Sequence, residues 1–137
     1  MHCQYVLRLT DSTSGPYLQY AHVRLCSIAR KVAPLVLRTD IRTIDTKLLV
    51  EPKIHEIVTL LATYPDVVRW SLKSYEPSTV VTFCFRLSHL ISSVWETLIV
   101  KGREEELAQA RLLLYTCCRV VLGNALSLLS MIPLERM

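Results

Sequence analysis

In the stretch from residue 16 to 33, apolar side chains recur with a helical period. Leu18, Ala21, Leu25, Ile28 and Val32 fall at offsets of 3, 7, 10 and 14 residues and stop before Pro34, which predicts one amphipathic helix with a single core-facing stripe. Gly15-Pro16 opens it, with proline near the first helical position, where its missing N–H costs nothing. Residues 34–50 lose the period and read as a long connection. Periodicity resumes near Pro52 with Ile54, Ile57, Val58, Leu61 and Ala62. The pair Tyr64-Pro65 predicts a stop, followed by a short helix on Val67, Val68 and Leu72.

A fourth helix is expected from Glu76-Pro77-Ser78 to about Val100. Its apolar residues, from Val80 and Phe83 through Leu87 and Ile91 to Trp95 and Leu98, cover most of the circumference, so it should be the central helix. Lys101-Gly102 breaks it. Glu104, Glu105 and Glu106 then sit at the positive end of a last helix, whose core face is expected on Leu107, Ala110, Leu114, Cys117, Val121 and Leu128, with Pro133 as the stop. Residues 1–14 differ: Tyr5, Leu7 and Leu9 alternate with polar or outward positions before the loop-like run Asp-Ser-Thr-Ser, and the expectation is an irregular, poorly ordered leader. The pattern predicts an all-α bundle of about five helices in a single domain over residues 15–137.

Composition narrows the function classes. Half of the 137 residues are hydrophobic (51%) and mean hydropathy is +0.32, apolar enough to suggest surface that something else covers. The basic excess lies in residues 1–50, with seven Lys/Arg against three acids, a mild sign of a polyanion partner. The five cysteines include no CxxC pair and no histidine at ligand spacing, so they read as small hydrophobes in a reducing compartment and no metal site is assigned. No secretory signal is legible at the N-terminus. The longest uncharged stretch, residues 120–134, carries Asn124 and Pro133 and falls short of the about 20 apolar residues a membrane helix needs; no membrane partner is expected. There is no phosphate loop, HExxH or GxSxG, and His22, His55 and His89 stand without acidic partners. No catalytic residue is assigned, and the residues describe a binding module.

One residue out of phase with the apolar stripe of the first helix runs a second stripe: Tyr17, Tyr20, Arg24, Ser27 and Lys31. These positions share a face, aromatic at its start and basic at its end. Such a face stacks unpaired bases and engages phosphate, as proteins that read single-stranded RNA loops do. The same residues could equally widen the packing face, since bundle tyrosines commonly bury the ring and wet the hydroxyl. Trp95 has the same two readings.

Residues 15–24, GPYLQYAHVR, resemble the opening helix of the anticodon-binding domain of arginine–tRNA ligases, a family named for a D-A-L-R motif. The resemblance continues through residues 64–69 (YPDVVR), 76–81 (EPSTVV), 87–93 (LSHLISS) and 105–115 (EELAQARLLLY), and ends in 133–137 (PLERM), and it looks closest to eukaryotic, particularly fungal, members. It implies tRNA binding, with Tyr17, Tyr20, Arg24, Trp95 and Met137 toward the anticodon loop of arginine isoacceptors. One turn beyond Trp95, where the family can carry a second aromatic, this chain has Ile99. The resemblance further implies the parent ligase's catalytic domain as a partner, no DNA, a cytoplasmic setting with a mitochondrial form of the parent enzyme, and ATP and Mg used only by the whole enzyme, with no cofactor in this chain. No HIGH-like or KMSKS-like signature is present, and residues 1–14 do not resemble what leads into this helix in the family; the expectation is a truncated or divergent gene product. Two other expectations stand beside it: a non-catalytic tRNA-binding adaptor of the same domain family, and a helical protein–protein module.

Overall fold

The computed structural model describes residues 15–137; the leader expected over residues 1–14 lies outside them. Four α-helices make the bundle, α1 (Gly15–Lys31), α2 (Pro52–Ser74), α3 (Ser78–Val94) and α4 (Glu105–Leu128), and there is no strand among the described residues. The all-α expectation holds, with four helices in place of about five.

The difference lies at Pro65. Proline removes one hydrogen bond and crowds the carbonyl four residues back, yet α2 runs through it without a break. Packing on both sides of the proline outweighs that local cost: Tyr64 stacks on Phe83 of α3 with ring centroids 5.3 Å apart, and Leu61 and Val67 pack on the same core. The helix ends instead at Tyr75, in the left-handed region at φ 56°, with its N–H on the Ser71 carbonyl.

α3 lies at the centre, packed against the other three helices; Phe83, Cys84, Leu87, Ile91 and Val94 are buried in the core. It is shorter than the expected run to Val100. Trp95 caps it, and Leu98 and Val100 remain buried although they belong to the following turn.

On α4, Ala110 and Leu114 of the expected core face are buried, but the rest of the face lies one residue further on. Ala108, Leu112, Tyr115, Cys118, Leu122, Ala125 and Leu126 are buried, whereas Cys117 is exposed, Leu128 is 57% exposed and Val121 is half-buried. By length and composition α4 could cross a membrane. In this fold it supplies a flank of the core, and its buried Gln109 and Arg111 are spent on neighbouring loops. Gln109 clasps the 36–38 segment, accepting from the Arg38 N–H at 3.1 Å and donating to the Val36 carbonyl at 2.9 Å. Arg111 donates to the Ile99 carbonyl and to Glu51, both at 2.6 Å. In the connection between α1 and α2, two short 3-10 turns are capped by Asp40 and Asp45, which accept from the Arg42 and Lys47 amides.

Candidate nucleic-acid interface

The α1 pattern places Leu18, Ala21 and Leu25 in the core, which turns Tyr20 and Arg24 outward beside the end of α3. There the fold adds what spacing alone could not supply. The Arg24 guanidinium carbon lies 3.9 Å from the centroid of the Trp95 ring and 5.5 Å from that of Tyr20. Trp95 is held from behind by Tyr115, edge to face with centroids 6.0 Å apart. The Tyr115 hydroxyl in turn donates to the Leu98 carbonyl at 3.1 Å, and burial pushes its pKa well above the ordinary phenol value, so the donor stays protonated. A planar cation thus lies against two aromatic rings on a supported platform. The ion pairs among the described residues use Arg38, Arg69 and Arg111; none takes up the charge of Arg24.

Tyr20, Arg24 and Trp95 therefore converge, and Ser27 and Lys31 continue the face. Ser27, Lys31, Trp95, Ile99 and Lys101 are among the residues lining a cleft of about 200 Å³. Tyr17 stands apart. It is half-buried, its ring 5.5 Å from that of His89 and its hydroxyl 3.4 Å from the Ser92 Oγ, so it bridges α1 to α3. Met137 is 66% exposed at the end of a tail that runs back along α1. That tail is bonded by Gln19 and His22, two residues the sequence reading did not select; their signal was a third α1 flank, polar and adjacent to the aromatic one.

Other chemistry is sparse. Among the described residues no cluster of metal-ligating side chains forms and the four cysteines are free thiols. Burial raises Cys84 to about 11 and Cys118 to about 12, which leaves both as inert packing residues.

The described residues form an all-helical bundle that presents an aromatic–guanidinium face on α1 and the end of α3. The family model for the DALR anticodon binding domain matches residues 18–137, and the chain belongs to that family. It is 46% identical over 127 residues to the cytoplasmic arginine–tRNA ligase of Saccharomyces cerevisiae, which covers 93% of this chain and 21% of that protein. With the arginine–tRNA ligase of Ruminiclostridium cellulolyticum it shares 37% identity over 134 residues, 96% of this chain and 24% of that one. The fold is that of part of the Thermus thermophilus arginyl-tRNA synthetase, with a TM-score of 0.77 at 23% identity over 91% of this chain and 21% of that structure. The chain thus spans about a fifth of the length of the relatives it matches.

Proposed function

We propose that this domain binds the anticodon arm of arginine tRNA through the face built on Tyr20, Arg24 and Trp95, flanked by Tyr17 and Met137, as the anticodon-binding part of an arginine–tRNA ligase. The observation that carries the reading is the Arg24 guanidinium, 3.9 Å over Trp95 beside a half-exposed Tyr20 and in no ion pair among the described residues. A flat cation beside exposed aromatic rings offers an unpaired base a stacking surface and a phosphate a fork of donors in the same place. Lys31 and Lys101 extend positive charge along the cleft.

On this reading arginine activation with ATP and Mg, and transfer to tRNA, belong to the longer proteins of which this domain spans a fifth, and the domain contributes position: it holds the anticodon so that the acceptor end reaches a distant centre. The catalytic part of such a ligase is then its neighbour, and the cytoplasm its compartment, as for the yeast relative.

Titration of the protein with an arginine tRNA anticodon arm at several salt concentrations tests this. Affinity is expected to fall with salt, the log–log slope counting about 0.7–0.9 per phosphate engaged. Tyr20→Ala is expected to cost about 1–3 kcal/mol of binding, the worth of one stacked base, with the thermal melt unchanged. Unaltered affinity in that variant would overturn the assignment.

A further inference from the structure

The last residues of the chain are held in a way that hydrophobic burial does not explain. Ile132 is 82% exposed, Leu134 41% and Met137 66%, so the tail's apolar side chains contribute little packing. Its backbone is gripped instead. The Gln19 side chain donates to the Ile132 carbonyl at 2.9 Å and accepts from the Leu134 amide at 3.0 Å, taking both bonds that a neighbouring strand would make. The His22 ring, 5% exposed, sets Nδ1 at 2.8 Å from the Leu134 carbonyl; a carbonyl only accepts, so Nδ1 carries the hydrogen. Arg30 donates to the Glu135 carbonyl at 3.1 Å.

Gln19, His22 and Arg30 stand at offsets of 3 and 11 residues, one α1 flank, about 130° around from the Tyr20–Arg24 flank. The tail backbone therefore runs along a separate side of α1, the one that faces Gly123 of α4. Gly123 of α4 makes room for the clasp: a Cβ there would lie 3.1 Å from His22 Nε2 and 4.0 Å from the Pro133 ring.

We infer that Gln19 and His22 are positioning residues that latch the backbone of residues 132–134 to α1, so that Met137 is held on a fixed path as one wall of the RNA-binding face. All of these bonds go to tail main-chain atoms, so the latch sets the path of the tail and is indifferent to its side chains. The inference rests on the anticodon-arm reading for its consequence, and on the bonds alone for the latch itself.

The test separates the two. Amide hydrogen exchange at Leu134 reads the latch without RNA, and anticodon-arm affinity reads its consequence. Gln19→Ala, a helix-compatible change on a half-buried position, is expected to speed Leu134 exchange about five- to tenfold, one hydrogen bond's worth, and to weaken RNA binding several-fold at an unchanged melting temperature. In a protein shortened after Met131, the same substitution is expected to change affinity no further. Unchanged Leu134 exchange overturns the latch. Faster exchange at unaltered affinity, with Tyr20→Ala still impaired, overturns the wall; an equal affinity loss from Gln19→Ala in the long and shortened proteins overturns action through the tail. If neither Gln19→Ala nor Tyr20→Ala affects RNA binding, the anticodon-arm reading fails and the wall with it, while exchange still decides the latch.

Discussion

Two surfaces of this bundle expose apolar area to the same degree and differ in everything else. On the α1 side, Tyr20 is 48% exposed; on the α2–α4 side, Val58 is also 48% exposed. Tyr20 stands beside a guanidinium that is itself stacked on Trp95. Val58 opens on an aliphatic groove of about 590 Å³ shared with Leu49, Leu61, Leu113, Cys117 and Val121. A groove of that kind gains from excluding water, and its lining offers only Thr46 and His55 to direct a hydrogen bond and no Lys, Arg, Asp or Glu. Exposure identifies both as surfaces; only the directional groups on the first give it a ligand chemistry.

The largest effect that bears on this contrast is a change to the core beneath both. Leu25→Ala, at a position 2% exposed, is expected to lower stability by about 2–5 kcal/mol through a cavity, while the folded fraction binds RNA normally; melts read alongside titrations check this. A specific loss of affinity in folded Leu25→Ala would mean that the α1 core and binding flanks are not separable.

Trp95→Ala comes next, because this ring both packs and presents. It should cost about 1–3 kcal/mol of RNA affinity and, unlike Tyr20→Ala, should also lower the melting temperature, since Tyr115 loses its edge-to-face partner. Two variants on one face with different stability signatures would distinguish the platform from the half-exposed ring beside it.

On the other surface, Val58→Lys should abolish fluorescence of a hydrophobic dye bound to the groove and reduce self-association, leave anticodon-arm affinity unchanged, and alter stability by no more than about 0.5 kcal/mol. Loss of RNA binding in that variant would erase the distinction between the two surfaces.

The smallest effect concerns pH. The Arg38 guanidinium bonded to Glu106 holds that carboxyl below its ordinary value. A lowered folded-state pKa means stabilisation that is present above the ordinary carboxylate range and is lost as pH falls through the folded value. Acidification should therefore loosen the 36–38 segment slightly, with Glu106→Gln flattening that part of the stability profile. The pair is solvent-exposed, so the change should be small.

The stripes of α1 were legible along the chain because helical spacing alone settles which residues share a face: Leu18, Ala21 and Leu25 went inward and Tyr20 and Arg24 outward as their offsets require. The all-helical class and the family resemblance were legible for the same local reason. Tertiary structure decided the rest. α4 is apolar over most of its circumference, so periodicity admitted two neighbouring core faces, and packing against α1 and α3 chose the one through Leu112, Tyr115 and Leu122 while leaving Cys117 and Val121 in the groove. Pro65 marks a stop in any local reading, and contacts with α3 on either side of it carried α2 through. Trp95 meets Arg24 across 71 positions, and Gln19 meets Leu134 across 115. Local spacing along the chain specifies faces; only packing the helices together specifies which faces meet, because that choice depends on how all four shed water and satisfy their buried polar groups at once.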